Sequence, residues 1–373
     1  VHKIQPDCLV SGRVGHDVGD YGSMGDNMIP AGPVKGYWET PATMNDTWGF
    51  KKNDKNWKST KDLLTLLVDL ASKGVNYLLN VGPTDKGVIP AASVKRLEEI
   101  GAWMSVNGEA IYGTSPTPYP YEFDWGRITW KPGKLYLHFY SWPRGTFTLK
   151  GLKSEVTRAY PLADRQRKIE VTQNRDGVPK EDRLELRSLG KKPDTHVSVV
   201  VLEIEGTPKV DRTLMQQPGG AVLLPGHLAT VSASTKDLQM RLDRSGIVVG
   251  WFDAQSTVSW EFRVSEPGEF RVEISTAAVL RPREWVGGHT VQVEIGRGTS
   301  KKGISDVVLL KKKIRRDEDL DTPRTRHFRE ALSNLGTVKL SEPGTHTLTM
   351  RLLEHPKKAV NGLQLSFVRL TPK

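Results

Sequence analysis

Residues 77–83 read Tyr-Leu-Leu-Asn-Val-Gly-Pro, and this stretch decides the fold class of the amino-terminal part of the chain. Residues 77–81 are an apolar run of the kind found in strands that a parallel sheet buries on both faces. The Gly82-Pro83 pair ends the run, because such pairs mark a loop. A parallel strand needs a crossover connection, usually a helix, to reach its neighbour. Helices are therefore expected on both sides of this stretch.

Two helical patterns flank the strand. The first begins at Ser59 or Thr60, carries leucines at helical spacing and ends at Lys73-Gly74. The second begins at Pro90 and ends near Asn107-Gly108. It is expected to bury one face, formed by Val94, Leu97, Ile100, Trp103 and Met104.

Two short pieces upstream complete the pattern. Residues 8–10 (CLV) and 47–50 (TWGF) are expected to be extended, with Arg13 on the end of a buried strand. The alternation of strands and helices predicts a βα series over residues 1–114, with too few strands to close a barrel.

In the rest of the chain, the hydrophobic pattern has a period of two residues. Short alternating runs from about Tyr119 onward predict an antiparallel β-domain over residues 115–206. Gly206-Thr207-Pro208 is a linker, and a second antiparallel β-domain of the jelly-roll type is expected over residues 207–373.

Composition narrows the class of protein. The 373 residues are 37% hydrophobic and 26% charged, which is typical of globular domains and excludes a fibrous repeat. No apolar run approaches the ~18 residues that a membrane-spanning helix needs, so no membrane partner is expected. The single Cys8 excludes an internal disulfide framework and a cysteine-rich metal site.

The start of the sequence bears on its completeness. It begins at Val1, without an initiator methionine or a signal peptide, so we expect it to be part of a longer polypeptide.

The net charge of +11 raises the possibility of nucleic-acid binding. However, the basic residues of segment 311–329 alternate with acidic ones at 317–321, as on a solvated surface. No helix-turn-helix, zinc-finger or RNA-binding signature accompanies them, so no nucleic-acid partner is expected.

Residues 5–50 carry the side chains that could do chemistry. They combine an arginine, four carboxylates and five aromatic rings: Arg13; Asp17, Asp20, Asp26 and Glu39; Tyr21, Tyr37, Trp38, Trp48 and Phe50. Sites that cleave glycosidic bonds need this mixture, since aromatic faces stack on sugar rings and two carboxyl groups flank the bond. Ordinary turn residues and rim packing are the competing interpretation.

Several phrases in the same region resemble a known family. They are Gln5-Pro6-Asp7, Gly19-Asp20-Tyr21, Gly25-Asp26-Asn27, 37–41 (YWETP), 47–50 (TWGF), 78–83 (LLNVGP), 87–90 (GVIP) and 97–112 (LEEIGAWMSVNGEAIY). Together they resemble the second half of the catalytic barrel of the α-L-fucosidases, glycoside hydrolase family 29. The resemblance is dense over about residues 4–114 and looser in the β-domain that follows.

The resemblance implies both a fold and an activity. The fold would be the carboxyl-terminal half of a TIM-type (β/α)8 barrel at 1–114, followed by two antiparallel β-sandwich domains at 115–206 and 207–373. The activity would be that of a retaining exo-glycosidase, which releases α-L-fucose through a covalent fucosyl-aspartate intermediate.

It also implies roles for individual residues. Glu39 matches the glutamate that serves as general acid/base in several members, whereas in others that residue would align near Asp26, so both are candidate catalytic residues. Trp48 matches an aromatic that packs on the apolar side of fucose, and Arg13 matches an arginine that contacts the sugar or the nucleophile. Trp38 and Tyr37 are further candidate substrate-binding residues.

The sequence departs from the family because it lacks the nucleophile. In the family, the nucleophilic aspartate lies in the first barrel half, which is not in this sequence. We therefore expect an N-terminal barrel segment or chain as a partner, a fucosylated glycan as substrate, and an inactive chain when alone. A homo-oligomer is another possible assembly, and the alternative function is a non-catalytic carbohydrate-binding protein derived from a fucosidase. A fucoside-degrading enzyme is expected in the periplasm or outside the cell.

The last domain resembles galactose-binding-like sandwiches of the carbohydrate-binding-module type. Trp251, Trp260, Trp285 and Asn361 stand out there. Trp260 alternates with apolar residues and is predicted to be core, whereas Trp285 is the candidate platform for a sugar. Such sandwiches often hold a structural calcium, but no acidic cluster has ligand spacing, so no cofactor is predicted.

Overall fold

The computed structural model describes residues 1–15, 18–176, 180–243, 246–279, 287–298, 305–314, 328–357 and 362–373. Within these residues the fold is mostly β, with two α-helices, and neither helix is long and apolar enough to cross a membrane. The chain forms two compact units. The first comprises Val1–Asn174 and Arg183–Asp211, and the second comprises Arg175–Asp182 and Arg212–Lys373. The predicted boundary at residue 114 lies inside the first unit and stays a prediction.

The amino-terminal part of the first unit is a three-stranded parallel sheet with two helices. The strands, in the order β1-β2-β3, are Gly22–Ser23, Trp38–Thr43 and Val75–Asn80. Helix α1 (Thr60–Ser72) connects β2 to β3, and helix α2 (Ala91–Asn107) follows β3. This is the βα order predicted from the sequence.

Helix α1 begins and ends where its sequence predicts. The Asp62 backbone N–H donates to Ser59 Oγ (3.1 Å), and the Ser59 N–H donates to Asp62 Oδ2 (3.0 Å), which forms a capping box. Gly74, with φ +78°, lies directly after the C-cap residue Lys73. One face of the helix is fully buried, through Leu63, Leu64, Val68 and Leu70.

The strand predictions upstream of α1 were wrong. Residues 8–10 form no strand, and residues 47–50 form a loop. The strand between them, β2, was missed because Pro41 interrupts the pattern. Pro41 is tolerated since β1 ends opposite Glu39, so no ladder partner on that side needs the missing N–H. The carbonyl of Pro41 instead accepts from the Asn27 N–H at 2.8 Å.

The burial expected of β3 and α2 was only partly correct. Leu78, in the middle of β3, is 50% exposed, so the strand is buried on one face and not on both. On α2, Trp103 is buried, but Val94 and Leu97 are exposed. The described residues thus cover these side chains only in part, and the amino-terminal sheet is partly open on the face that bears Leu78.

The remainder of the first unit is antiparallel β. Its strands are β4 (Gly126–Lys131), β5 (Lys134–Phe139), β6 (Phe147–Lys150), β7 (Val156–Pro161), β8 (Glu170–Asp176), β9 (Glu181–Arg187) and β10 (Ser198–Ile204). They form two sheets, in the orders β4-β5-β10-β7 and β6-β9-β8.

The two helices pack on the first of these sheets. Leu64 and Trp103 belong to one buried cluster with Tyr136 and Val199. The Trp103 indole N–H also donates to the Val197 carbonyl at 2.7 Å, so the ring is fixed by a hydrogen bond as well as by packing. The antiparallel sheet therefore covers one side of the two helices.

The second unit contains strands β11 to β22. They are β11 (Leu214–Met215), β12 (Val222–Pro225), β13 (Thr230–Ser232), β14 (Arg241–Leu242), β15 (Val248–Trp251), β16 (Thr257–Val264), β17 (Gly268–Val279), β18 (Thr290–Arg297), β19 (Ser305–Lys313), β20 (Phe328–Leu340), β21 (Gly344–Glu354) and β22 (Leu363–Pro372). Two six-stranded sheets result, with the main orders β11-β16-β21-β18-β19 and β14-β15-β22-β17-β20. That these sheets pack as a sandwich stays a prediction.

Its tryptophans are core residues where the structure describes them. Trp260 is buried, as predicted, and its indole N–H donates to the Pro225 carbonyl at 2.8 Å. Trp251 is also buried and donates to the Asp253 carbonyl at 3.2 Å. The candidate sugar platform Trp285 and Asn361 lie outside the described residues.

Candidate active site

The two faces of the parallel sheet differ in character. Leu70 of α1 packs with Met24 and Val75, and the Trp38 ring lies against this cluster. Because side chains alternate along a strand, Glu39 lies on the opposite face of β2, as Leu78 does on β3. The exposure of Leu78 indicates that this second face is open at β3, although Pro41 and Thr43 of β2 are buried on it. Glu39 therefore lies on an accessible sheet face.

Strand β1 brings Arg13 and Asp26 to the same face. Ser23 is the register partner of Glu39, so their side chains point to the same side of the sheet. Arg13 Nε donates to Ser23 Oγ at 3.2 Å, and Arg13 Nη2 donates to Asp26 Oδ1 at 2.6 Å. The structure thus brings together three of the predicted site residues, Arg13, Asp26 and Glu39.

Arg13 reaches this position from a turn and not from a strand. Residues Gly12–Val14 form a short 3₁₀ helix, and the Ser11 hydroxyl accepts from the Arg13 backbone N–H. The Gly12 N–H donates to the Tyr21 carbonyl at 2.7 Å. A Cβ on Gly19 would lie 2.3 Å from the Gly12 nitrogen, so the chain comes back on itself here through two glycines. The expectation of a buried-strand arginine was therefore wrong, because this close return ends the extended run.

The two candidate carboxylates have different surroundings. Asp26 is engaged in a charge-assisted hydrogen bond with Arg13, and both side chains are about half exposed. Within the described part of the chain, no hydrogen bond or ion pair involves the carboxylate of Glu39. The backbone of Glu39 is fixed, since its carbonyl accepts from the Met24 N–H at 2.9 Å.

Their positions along the sheet also differ. Glu39 is the second residue of β2. The Asp26-Asn27 turn lies further along, because the Asn27 side chain accepts from the Thr43 N–H at 3.1 Å. Asp26 is thus closer to the carboxyl edge of the sheet, where enzymes built on parallel barrels place their active sites.

The aromatic candidates separate into packing and exposed residues. The Trp38 indole N–H donates to the Lys35 carbonyl at 2.8 Å, and a Cβ on Gly22 would lie 2.3 Å from the Trp38 ring. The Trp38 ring therefore fills the helix side of the sheet, away from Glu39. Tyr37, directly before β2, is 79% exposed, and Trp48 is 36% exposed.

The end of β3 holds the loop that carries Trp48. Asn80 Nδ2 donates to the Trp48 carbonyl at 2.7 Å. A Cβ on Gly82 would lie 2.8 Å from the Phe50 nitrogen, which is closer than real side chains come, so only glycine fits there. This contact of Asn80 was not predicted from the sequence. The phrase at residues 78–83 (LLNVGP) was the available signal for Asn80, but it does not indicate which loop Asn80 contacts.

The remainder of that loop is fixed by its own polar groups. Lys58 Nζ donates to the Thr43 carbonyl at 2.6 Å, and burial lowers the pKa of Lys58 below its ordinary value. The Asp54 carboxylate accepts from the backbone N–H groups of Asp46 and Asn56 and from the Thr47 hydroxyl. Desolvation raises the pKa of Asp54, but these hydrogen bonds outweigh it and leave the pKa below its usual range.

The described residues include His, Cys, Asp and Glu side chains that could bind a metal ion. Among them, no group of three or more His, Cys, Asp or Glu side chains is placed to hold a metal ion. Asp17 lies outside the described residues.

Comparison with known proteins relates this site to one family. Residues 1–109 match the family model described as alpha-L-fucosidase. The human tissue alpha-L-fucosidase is 30% identical over 163 residues, which are 41% of this chain and 34% of the human protein. The chain thus spans about a third of the length of this curated relative.

Solved structures agree with the sequence match. The alpha-L-fucosidase from Vibrio sp. strain EJY3 superposes with a TM-score of 0.75 at 26% identity, over 100% of this chain and 62% of that chain. The alpha-L-fucosidase isoenzyme 1 from Paenibacillus thiaminolyticus gives a TM-score of 0.50 at 32% identity, over 55% of this chain and 52% of that chain. The resemblance drawn from the sequence is confirmed, and the chain is similar to the α-L-fucosidases, with the match to the family model in residues 1–109.

Proposed function

We propose that this chain is the carboxyl-terminal part of a retaining exo-α-L-fucosidase, which releases L-fucose from fucosylated glycans. The observation that carries the proposal is the open sheet face on which Arg13, Asp26 and Glu39 meet. This face lies within the residues that match the family model.

Glu39 is proposed as the general acid/base. In the first step its protonated carboxyl group donates to the leaving glycosidic oxygen, while a nucleophilic carboxylate attacks the anomeric carbon. In the second step the Glu39 carboxylate takes a proton from the water that releases fucose. Among the described residues, no hydrogen bond or ion pair occupies the Glu39 carboxylate, and this availability to a glycosidic oxygen supports the assignment.

Asp26 is the competing candidate. It lies nearer the carboxyl edge of the sheet, but its carboxylate is bound by Arg13 at 2.6 Å. That contact occupies the Asp26 carboxylate, which an acid/base must present to the glycosidic oxygen. The ion pair instead supports a positioning role, in which Arg13 and Asp26 together present a guanidinium to the sugar or to the nucleophile.

The nucleophile is proposed to come from an amino-terminal barrel half that precedes these residues in the family. The parallel sheet would then be the second half of a (β/α)8 barrel. Exposed apolar side chains at Leu78, Val94 and Leu97 support a partner surface at this sheet and helix. A retaining mechanism requires the two carboxyl groups to lie about 5–5.5 Å apart, which sets the position of the missing group.

The two exposed aromatic residues are proposed to contact sugar. The Trp48 ring would pack on the apolar side of fucose, because the bond from Asn80 holds its backbone in place. Tyr37 is more exposed and would contact substrate only at the amino side of β2. Trp38 is assigned to packing and not to substrate.

The experiment compares leaving groups in the complete polypeptide or assembly that contains this chain. Glu39→Gln should slow a natural fucosyl disaccharide by about 10²–10⁴-fold, the usual contribution of a general acid. It should lower kcat/KM for para-nitrophenyl α-L-fucoside much less, because nitrophenol leaves without protonation and kcat/KM reports only the steps up to its release. Asp26→Asn serves as the matched control.

The outcomes separate the assignments. If Glu39→Gln leaves both substrates unaffected while Asp26→Asn produces the leaving-group pattern, Asp26 is the acid/base. If the complete protein binds fucose but hydrolyses neither substrate, the alternative of a non-catalytic sugar-binding protein replaces the enzyme.

A further inference from the structure

A cavity of about 200 Å³ lies beside the Trp48 loop. One wall follows the ends of β2 and β3, through Asn45 and Gly82, and another is the start of α2 at residues 90–92. The Trp48 loop provides the rest of the lining: Gly49, Phe50, Lys51, Lys52, Asp54, Lys55 and Trp57. The cavity is therefore at the carboxyl edge of the parallel sheet, where barrel enzymes bind their substrates.

Three lysines line this cavity, and the charge of one of them, Lys51, helps to lower the pKa of Asp54. Lys51, Lys52 and Lys55 are exposed, and within the described residues none of their ammonium groups makes an ion pair or a hydrogen bond. Lys58, seven residues beyond Lys51, is different because its ammonium group is bound to the Thr43 carbonyl. The lysine-rich loop thus contains one structural lysine and three that are available to a ligand.

The single acidic residue of the lining does not neutralise them. Asp54 accepts hydrogen bonds from Asp46, Asn56 and Thr47 of its own loop, so its carboxylate serves the loop. Three lysines against one aspartate leave an excess of two positive charges around the cavity. Such an excess in a concave site attracts anions.

Aromatic surface is interleaved with these charges. Phe50 is 47% exposed, and Trp57 lines the cavity with the Arg96 guanidinium 5.6 Å from its ring centre. Apolar rings next to ammonium groups suit a sugar that carries an acidic group, because the rings contact its C–H face and the lysines pair with the anion. Inorganic anions alone would not need the rings.

We propose that this cavity binds an anionic group, a sulfate or a carboxylate, on the sugar to which the fucose is attached. The proposal rests on the proposed function, because Trp48, the residue proposed to pack on fucose, directly precedes the lining residues Gly49, Phe50 and Lys51. Ligand sites for whole drug-sized molecules measure about 300–1,000 Å³, so a cavity of about 200 Å³ holds one substituted ring and not an extended chain.

The test measures binding by calorimetry in the complete protein carrying Glu39→Gln, which slows cleavage of the probes, a fucosyl-N-acetylglucosamine disaccharide and its sulfated form. The sulfated probe should bind about tenfold tighter at low salt, since two or three exposed charge pairs each add a modest gain. The preference should weaken at high salt, where exposed charges are screened. A fucosyl-glucuronate probe tests the carboxylate source in the same way.

Variants assign the effect to the cavity. The triple change Lys51→Gln, Lys52→Gln and Lys55→Gln should remove the preference and leave the affinity for the neutral disaccharide within about twofold. Lys153→Gln, at an exposed position in the antiparallel part of the unit, removes one charge and should change nothing.

The result that overturns the proposal is equal binding of the charged and neutral probes, or a preference that survives the triple variant. Hydrolysis of para-nitrophenyl α-L-fucoside, which carries no anionic group, reports separately on the proposed function. A protein that prefers the sulfated probe but hydrolyses no fucoside would keep the anion site and lose the enzyme.

Discussion

The helix side and the open side of the amino-terminal sheet differ in how completely this chain covers them. On the helix side, Leu64 and Trp103 share a buried cluster with Tyr136, so the antiparallel sheet covers them. On the open side, Leu78 is exposed and the neighbouring groups are polar, namely Arg13, Asp26 and Glu39. The chain therefore stabilises its fold from one side of the sheet and carries the candidate site residues on the other.

The largest stability effect is expected on the covered side. Trp103→Ala should lower the free energy of unfolding by about 3–5 kcal/mol, because it leaves a cavity and breaks the hydrogen bond to Val197. Leu97→Ala, on the same helix but exposed, should cost less than about 1 kcal/mol. Urea unfolding of both variants measures the contrast. Equal losses would mean that the two sides of α2 are equally covered in solution.

A pH effect should also arise on the covered side. Desolvation raises the pKa of Glu109, but hydrogen bonds from Lys134, Tyr136 and Arg165 outweigh it and lower the pKa from 4.5 to about 2. A lowered pKa gives stability that is fully present above the unfolded value and is lost as the pH falls through the folded value. Glu109→Gln should therefore cost about 2 kcal/mol at neutral pH, as for a hydrogen bond to a charged group.

The control for this prediction is the same variant in acid. The difference in unfolding midpoint between wild type and Glu109→Gln should shrink as the pH falls from about 4.5 to about 2. A difference that stays constant over this range would assign the loss to packing and not to charge.

A smaller effect is expected at the edge of the open side. Asn80→Ala removes the hydrogen bond to the Trp48 carbonyl and should cost about 0.5–1.5 kcal/mol of stability. It should raise KM for para-nitrophenyl α-L-fucoside about threefold or more with little change in kcat, because the loop loses its position. Asn76→Ala removes a comparable bond to the Trp38 carbonyl (3.2 Å) and should leave KM unchanged. If both variants raise KM alike, Asn80 has no specific role in holding Trp48.

Local signals in the sequence predicted the helices well. Ser59 and Gly74 determined α1, because capping depends on residues a few positions apart. Strand β2 was missed, since Pro41 is acceptable only next to a neighbour as short as β1, and that length is a tertiary fact.

The site was predictable as a set of residues but not as an arrangement. The family's phrases pointed to Arg13, Asp26 and Glu39, and the register of β1 with β2 brings them to one face. The sequence could not separate Trp38 from Trp48, because the difference lies in which side of the sheet each ring occupies. The sequence shows four lysines close together, at 51, 52, 55 and 58. Only the fold shows that Lys58 differs from the others, because its ammonium group donates to the Thr43 carbonyl.

The central claim is that the open face bears the acid/base of a retaining fucosidase, with Glu39 in that role. The most direct measurement is the product that Glu39→Ala forms from para-nitrophenyl α-L-fucoside in the presence of sodium azide, in the complete protein. Azide is anionic and needs no general base, so the account predicts restored turnover and a fucosyl azide of retained α configuration. No rescue by azide, or a fucosyl azide of inverted configuration, would contradict the account.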